Sequence, residues 1–312
     1  MNLQQLEYII ALDTHRHFVK AADACFVTQA TLSMMIKKLE QELDVVIFDR
    51  SKQPVIPTKT GKKLIEQARN ILRESQLMKE ISKEMKSGME GELRIGIIPT
   101  LAPYLLPVFI PGFLARYPSL KLKIREQTTD QLAHFLATDK IDVAIMATPL
   151  HISNLKETPV FYEEFKVYVA SPEKQFRKKY LLPEDIDTSK LWLLEEGHCL
   201  RSQALNLCEL QKQQAKATNL DYETGSIESL LKITEITQGI TIIPELATLH
   251  FNKKQKEKLR SFKPPVPVRE ISLVTFRHFA RQDMITSLKK EILAAVSPHL
   301  SSGRKNSQVV KI

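Results

Sequence analysis

The sequence predicts a mixed fold in which an all-helical segment is followed by one long helix and then by an α/β module. Apolar residues recur at helical spacing through about residue 58, and a seam of apolar and small residues at heptad-like spacing runs from Lys59 to Met85. After Gly91, short apolar runs alternate with helical patterns, which is typical of a mostly parallel sheet. We therefore expect four segments: residues 1–58, 59–88, 89–300 and a disordered tail at 301–312.

The all-helical segment contains the pattern of a helix-turn-helix. A second helix is predicted from Phe18 to Phe26 and a third from Gln29 to Leu43. Thr28 precedes the third helix, where its hydroxyl can cap the free backbone amides of the first turn. The small side chains of Ala21 and Ala22 allow two helices to cross closely, and a connection of about four residues suits this motif.

The outward face of the third helix carries side chains that suit contact with DNA. The amide of Gln29 can pair with adenine in the major groove, and the Ser33 hydroxyl can meet a base or a phosphate. Lys37 and Lys38 supply positive charge for the phosphate backbone. A solvated face on a small helical domain is the alternative. The candidate DNA contacts are Thr28, Gln29, Thr31, Ser33, Met34, Lys37 and Lys38.

Residues at fixed spacing across this segment carry a family resemblance. They are Phe18-x-x-Ala21-Ala22, Val27-Thr28-Gln29, Leu32-Ser33-x-x-Ile36-x-x-Leu39, Ile47-Phe48-x-Arg50 and Thr58-x-x-Gly61. The segment resembles the N-terminal domain of LysR-type transcriptional regulators. This resemblance implies a winged helix-turn-helix whose third helix reads promoter DNA, with Arg50 and Lys52 in or beside the wing as further contacts.

One position departs from that family pattern. Asp44 stands where the family usually has a glycine that ends the third helix in a left-handed conformation. Aspartate tolerates this conformation less well than glycine does. We therefore expect the end of the helix to differ slightly here.

The long helix that follows carries a heptad seam with two serines in it. Such a seam favours a dimer, and paired DNA half-sites ask for two-fold symmetry. The alternative is that the helix packs on its own domain as an ordinary amphipathic helix. The seam residues are Leu64, Ala68, Ile71, Ser75, Met78, Ser82 and Met85.

The α/β module matches the position of the effector domain in the same family. The resemblance implies two lobes of periplasmic-binding-protein-like fold around a cleft lined by strand ends and helix N-termini. The predicted strands are 93–98, 120–124, 142–146, 166–170, 191–194, 240–243 and 271–274.

Two cysteines in this module suggest redox chemistry. A helix is predicted to begin near Cys199, just after Gly197, and a thiolate at a helix N-terminus is stabilised by free amides and by the helix dipole. Arg201 can add a cation, and His198 a further donor. A reachable thiolate of low pKa is the form that peroxide attacks to produce a sulfenic acid.

The second cysteine, Cys208, cannot reach Cys199 along an intact helix. Nine residues correspond to about 13.5 Å of rise and opposite helix faces, whereas a disulfide needs Cα atoms about 4.4–6.8 Å apart. A bond between them therefore requires the helix to unwind, which would convert oxidation into a change of shape. The alternative is that both are small packing residues, as we also expect for Cys25.

The surrounding residues resemble the peroxide-sensing OxyR branch of the LysR-type family. The match includes Gly197-His198-Cys199-Leu200-Arg201-x-Gln203-Ala204 with Cys208, and extends to Gly96-x-Ile98-Pro99-Thr100 and Pro103-Tyr104-Leu105-Leu106-Pro107. It implies that Cys199 is the peroxidatic thiol and Cys208 the resolving thiol. It also implies that Thr100 and Thr129 help to hold peroxide, with His198 and Arg201 in support. Both threonines also fit plain helix N-caps.

Composition and motifs exclude several other classes. Of the net charge of +9, the first 90 residues carry only +2, so charge alone does not identify a DNA-binding protein. No apolar run approaches the 18–20 residues of a membrane helix, and the N-terminus lacks a leader pattern, so we expect a cytoplasmic protein without a membrane partner. CxxC, HExxH, GxGxxG and P-loop motifs do not occur, and we expect neither a metal nor another cofactor.

Together these features predict a non-enzymatic, peroxide-sensing activator that controls oxidative-stress genes. Its expected partners are promoter DNA, hydrogen peroxide, further copies in a homodimer or homotetramer, RNA polymerase, and a thiol reductant of the glutaredoxin or thioredoxin type. One alternative is a LysR-type regulator with a small organic effector in the cleft between the lobes. Another, from a different class, is a thiol peroxidase that turns over peroxide in bulk.

Overall fold

The computed structural model describes residues 1–84, 90–170, 180–208, 222–276, 279, 281–301 and 307–312, and along the long helix it describes side chains through Ser75 and at Met78. The chain divides into two compact units, Met1–Lys86 and Ser87–Ile312, and each is treated by itself. No helix within the described ranges is long and apolar enough to cross a membrane.

The N-terminal unit is a winged helix-turn-helix followed by a long helix. A single apolar core joins the first three helices, the first short wing strand, Val55 just before the second wing strand, and the start of the long helix. The elements are α1 (Leu3–His15), α2 (Phe18–Ala24), α3 (Gln29–Glu42), β1 (Phe48–Asp49), β2 (Ile56–Pro57) and α4 (Lys59–Glu84), with β1 and β2 antiparallel.

Both ends of α3 follow from local chemistry. The Thr28 hydroxyl accepts a hydrogen bond from the backbone amide of Thr31 at 3.2 Å, so the predicted cap is confirmed. At the other end Asp44 has φ +51°, the left-handed conformation that glycine usually supplies. The amide of Val45 bonds to the Glu40 carbonyl at 3.0 Å, which completes the usual helix-ending pattern. The expected change at this helix end is therefore wrong: aspartate adopts the conformation itself.

The first half of α4 packs on its own unit. Ala68 is buried and Leu64 and Ile71 pack against the core, while Arg69 pairs with Asp13 of α1 at 2.8 Å. Further along, Met78 of the predicted seam is 75% exposed. The side chains of the last two seam residues, Ser82 and Met85, lie outside the described part of the chain. The dimer stays a prediction.

The C-terminal unit alternates strands and helices, as the sequence predicts. Short 3₁₀ turns occur at Pro183–Asp185, Thr188–Lys190, Glu245–Thr248 and Ser297–His299. The strands are β3 (Gly91–Ile97), β4 (Leu120–Glu126), β5 (Val143–Thr148), β6 (Leu155–Val169), β7 (Tyr180–Leu181), β8 (Leu191–Trp192), β9 (Ile240–Pro244), β10 (Leu259–Phe262), β11 (Val266–Phe276) and β12 (Ser307–Val309). The helices are α5 (Ala102–Arg116), α6 (Thr129–Ala137), α7 (Cys199–Leu207), α8 (Ile227–Ile236), α9 (Lys253–Glu257) and α10 (Gln282–Val296).

The long strand β6 connects two lobes. Residues 155–164 of β6 pair with β11, which continues the sheet β4-β3-β5-β11, whereas residues 165–169 pair with β9 and β10. Pairs β3–β4 and β3–β5 are parallel, but β6 and β11 run antiparallel to each other. The sheet is therefore mixed rather than mostly parallel, because these two strands pass between the lobes without a crossover helix.

The end of the chain differs from the expected disordered tail. Strand β12 pairs in parallel with the start of β11, and the Val310 amide donates to the Val268 carbonyl at 2.9 Å. The Val310 side chain is buried. Paired backbone groups and one buried valine order this segment. The sequence does not indicate this order, because the neighbouring residues are mostly basic and polar. Residues 302–306 of the predicted tail lie outside the described residues.

Candidate functional site

Helix α7 begins at Cys199, as predicted, and places this thiol in a buried site. Gly197 has φ +91°, which turns the chain sharply before the extended His198 leads into the helix. The Cys199 side chain is only 5% exposed. The backbone amides of Cys199 and Leu200 at the start of the helix act to lower the pKa of the thiol.

The cation at this site is Arg269, from the middle of β11. Its Nε donates to Glu163 Oε1 at 2.6 Å, and both side chains are fully buried. Its Nη1 and Nη2 donate to the hydroxyl and the carbonyl of Thr100 at 3.0 and 3.2 Å. The positive charge of Arg269 acts to lower the pKa of Cys199. Sequence reasoning missed this pair, although a charged residue inside each of two apolar strands was a usable signal.

Thr100 and Thr129 are not helix caps. The N-cap positions of α5 and α6 are Leu101 and Thr128, and neither makes a side-chain capping bond. Thr100 instead accepts from Arg269, and the Thr129 hydroxyl acts to lower the pKa of the Cys199 thiol. Among the described residues the buried Thr129 hydroxyl has no hydrogen-bond partner. Neither threonine is therefore used as a cap, and the Thr129 hydroxyl in particular is left without a partner in the described part of the chain.

Burial affects the pKa of the Cys199 thiol more than these favourable interactions do. Removal from water raises the pKa of Cys199 above its usual value, although Arg269, the Thr129 hydroxyl and two backbone amides oppose the rise. The expectation of a reachable thiol with a low pKa is therefore wrong for this conformation. The cation and the donors around the thiol oppose this effect of burial and so favour its ionisation.

The two other predicted pocket residues have different surroundings. His198 is buried, with Nε2 at 3.5 Å from Glu195 Oε1. Arg201 donates from Nη1 to the Leu194 carbonyl at 2.8 Å, so it braces the chain after β8. The predicted cation is thus occupied with a backbone carbonyl, and Arg269 supplies the charge to Cys199.

Cys208 lies at the opposite end of α7 as its C-terminal cap. It is half-buried, and burial raises the pKa of its thiol to about 11. The intact helix keeps the two thiols about 13.5 Å apart along its axis, and both are free. Cys25 is half-buried against the core of the N-terminal unit, and burial raises the pKa of its thiol too. This fits a packing residue.

The predicted DNA-reading face is open on α3. The side chains of Gln29, Met34, Lys37 and Lys38 are exposed, and Ser33 is half-buried. The hydroxyls of Thr28 and Thr31 lie 2.8 Å apart and so partner each other at the start of the helix.

The two wing residues differ from each other. Lys52 is exposed between the wing strands. Arg50 Nη2 donates to Glu40 Oε2 at 2.7 Å, and its guanidinium lies 5.5 Å from the centre of the Phe18 ring. Because Arg50 has two partners within its own unit, it helps to hold the wing against α2 and α3.

Two family models together cover almost the whole chain. The model described as bacterial regulatory helix-turn-helix protein, lysR family, matches residues 3–62, and the LysR substrate binding domain matches residues 86–296. The chain belongs to the LysR family. This is a family of DNA-binding transcriptional regulators rather than a class of enzymes. No cluster of potential metal ligands occurs among the residues that the structure describes.

The relatives place the chain in the OxyR branch, which confirms the predicted resemblance. The hydrogen peroxide-inducible genes activator of Haemophilus influenzae is 37% identical over 274 residues, which cover 88% of this chain and 90% of that protein. Full-length OxyR from Pseudomonas aeruginosa, carrying a cysteine-to-aspartate substitution, has a TM-score of 0.72 at 31% identity, with 95% and 98% of the two chains covered. A cysteine-to-serine mutant of Corynebacterium glutamicum OxyR with hydrogen peroxide bound has a TM-score of 0.63 at 27% identity, covering 96% and 93%.

Proposed function

We propose that this regulator senses hydrogen peroxide through Cys199 and converts oxidation into altered binding of promoter DNA. The observation that carries the proposal is the surroundings of the Cys199 thiol. A buried cation, Arg269, and the Thr129 hydroxyl both act on this thiol at the N-terminus of α7, and Arg269 donates to the Thr100 hydroxyl. The names of the similar proteins, which refer to peroxide-inducible genes and to bound peroxide, support the same function.

The chemistry begins with ionisation of Cys199. Its thiolate attacks one oxygen of hydrogen peroxide, the O–O bond breaks, and hydroxide leaves and takes up a proton as water. The sulfur becomes a sulfenic acid. In this step Arg269 would stabilise the thiolate, and the hydroxyls of Thr100 and Thr129 would donate to and accept from peroxide.

The second step joins the two cysteines. The Cys208 thiol loses its proton and attacks the Cys199 sulfur, the S–O bond breaks, and water leaves. In total one peroxide becomes two waters and two thiols become one disulfide. Because α7 separates the thiols, it has to unwind first. We expect oxidation to remodel residues 197–212, of which 209–212 lie outside the described residues.

The remaining expectations belong to the same proposal. We take residues 1–58 as the DNA-binding domain, 59–88 as the dimerisation helix and 89–300 as the sensor. A homodimer or homotetramer in the cytoplasm would present two α3 helices to promoter DNA, affect RNA polymerase, and return to the thiol form through a glutaredoxin- or thioredoxin-type reductant. The proposed DNA contacts are Thr28, Gln29, Thr31, Ser33, Met34, Lys37, Lys38 and Lys52, with Arg50 as a support for the wing.

The test compares the wild type with Cys199→Ser and Cys208→Ser before and after peroxide. We expect mass spectrometry to find a Cys199–Cys208 linkage in the wild type only, and promoter footprints to change with peroxide in the wild type only. Cys25→Ser is the matched control and should respond as the wild type does. Unchanged peroxide-dependent footprints in Cys199→Ser would refute the proposal, as would sustained catalytic consumption of peroxide by the purified protein.

A further inference from the structure

The C-terminal strand contacts the helix that carries both redox cysteines. Gln203 Nε2 donates to the Val310 carbonyl at 3.2 Å, and Asn206 Nδ2 donates to the Lys311 carbonyl at 3.1 Å. Three residues separate the two donors, so they lie on the same face of α7. Both donors stand between Cys199 and Cys208, on the turns that have to unwind before a disulfide can form.

The contact between Gln203 and Val310 is buried inside the C-terminal unit. Gln203 is fully buried, and among the described residues its Oε1 has no hydrogen-bond partner, so the bond to Val310 is the one that holds its amide. Val310 is buried in the core of the C-terminal unit, and its amide pairs with Val268. The tail therefore joins the sheet on one side and α7 on the other.

The same segment borders the resolving thiol. Cys208 lines a cleft together with Val309 and Val310 of the tail and with Leu182 and Pro265 from neighbouring loops. Movement of Cys208 toward Cys199 changes the wall of this cleft as well as the two hydrogen bonds. The tail thus contacts the part of the molecule that differs between a dithiol and a disulfide.

We propose that residues 307–312 act as an intramolecular ligand of α7 that docks on the dithiol form and is released when the disulfide forms. The proposal rests on the proposed redox function. Because docking and disulfide formation exclude each other, linkage is reciprocal: the docked tail opposes oxidation, and the disulfide weakens docking by the same factor. Gln203 and Asn206 are positioning residues for the redox step, since they act through α7 and touch neither peroxide nor a reacting sulfur.

Hydrogen exchange of the full-length protein tests the release. In the dithiol form the Val310 amide is expected to be protected by its bond to Val268. In protein whose Cys199–Cys208 linkage has been verified by mass spectrometry, we expect exchange over residues 307–312 to become at least about tenfold faster. Equal protection of this segment in both forms would overturn the proposal.

Single substitutions test the reciprocal effect on the redox equilibrium. In glutathione buffers, Gln203→Leu and Asn206→Ala should shift the dithiol–disulfide equilibrium toward disulfide by about tenfold and about threefold, because each removes one hydrogen bond to the tail. Asn206→Ala is the stricter test. Alanine favours helix more than asparagine does, so helix preference by itself would oppose oxidation, and a shift toward disulfide has to come from loss of the contact with the tail. Ser202→Ala on the same helix is the control and should not shift the equilibrium toward disulfide.

Removal of residues 307–312 should shift the equilibrium in the same direction. In that truncated protein Asn206→Ala should no longer shift the equilibrium toward disulfide, since the partner of Asn206 is gone and only the helix preference of alanine remains. An equilibrium that neither the truncation nor the substitutions move toward disulfide would refute the tail's role. If peroxide yields no Cys199–Cys208 linkage at all, the proposed function and this inference both fail. A linkage that forms while tail protection stays unchanged defeats this inference alone.

Discussion

The proposed DNA-reading face and the Cys199 site are built in opposite ways. The reading face comes from one continuous helix, α3, whose outward side chains are exposed while Leu32, Ile36 and Leu39 hold it to the core. The Cys199 site collects buried groups from separate elements, and the Thr100–Arg269 contact alone spans 169 positions of sequence. Substitutions on the reading face should therefore leave the stability of the fold unchanged, whereas removing one partner of the buried pair at the Cys199 site should cost stability as well as reactivity.

The largest expected effect follows from breaking the buried pair at the Cys199 site. Arg269→Met should lower the free energy of unfolding by about 3–5 kcal/mol, because the Glu163 carboxylate stays buried without its partner. Urea denaturation of the full-length protein measures this change. The rate of Cys199 oxidation at neutral pH should also fall, since the pKa of the thiol rises without the cation.

The double variant Arg269→Met/Glu163→Met separates stability from chemistry. It removes both buried charges and should recover most of the lost free energy of unfolding, while the oxidation rate stays low. Recovery of the oxidation rate together with stability would show that the cation does not act on the thiol.

A substitution on the reading face should weaken DNA binding and leave stability and peroxide chemistry nearly unchanged. Gln29→Ala should weaken binding to the cognate promoter by about 1–3 kcal/mol, because one amide contact to a base is lost, with little change in unfolding or in peroxide oxidation. Affinity measured on cognate and scrambled DNA checks this prediction. The control is Gln41→Ala, an exposed glutamine near the end of the same helix. Equal weakening on both DNA sequences would assign Gln29 no role in reading bases.

The effect of removing the Thr129 hydroxyl should be smaller and confined to the reactivity of the Cys199 thiol. Thr129→Val keeps the shape and removes the group that lowers the pKa of Cys199, so the oxidation rate at neutral pH should fall about tenfold. Stopped-flow measurements across pH check it: the part of the fall caused by the raised pKa disappears at high pH, where the thiol ionises in both proteins. Thr128→Val is the control, and a wild-type rate for Thr129→Val at every pH would contradict the prediction.

The smallest effect concerns Arg50, which the sequence alone assigned to DNA. Since its partners are Glu40 and Phe18, Arg50→Ala should cost only about 0.5 kcal/mol of unfolding free energy after solvent screening, and should leave the salt dependence of DNA binding unchanged. Lys37→Ala, which removes an exposed cation, should reduce the salt slope by about 1. An equal reduction for Arg50→Ala would return Arg50 to the DNA contacts.

The sequence predicted the features that depend on contacts between residues close together in the chain, and it missed those that depend on contacts between distant residues. The start of α3 at Gln29 and the start of α7 at Cys199 depend on neighbours within a few residues, and both predictions are confirmed. Arg269 was missed because its partners Glu163 and Thr100 are distant in sequence, and the ordered tail was missed because β11 supplies the other half of its hydrogen bonds. Thr129 lies between these two cases. Its position at the start of a helix predicts a cap, whereas its role beside the Cys199 thiol depends on tertiary contacts.

The sequence by itself determined the LysR-type organisation, the reading helix and the two cysteines at the ends of one short helix, because spacing and local capping specify these features. Only the tertiary structure decided which cation meets Cys199, that burial raises the pKa of this thiol, and that the chain terminus holds α7. Those outcomes depend on desolvation and on hydrogen bonds between distant strands, which no local pattern contains.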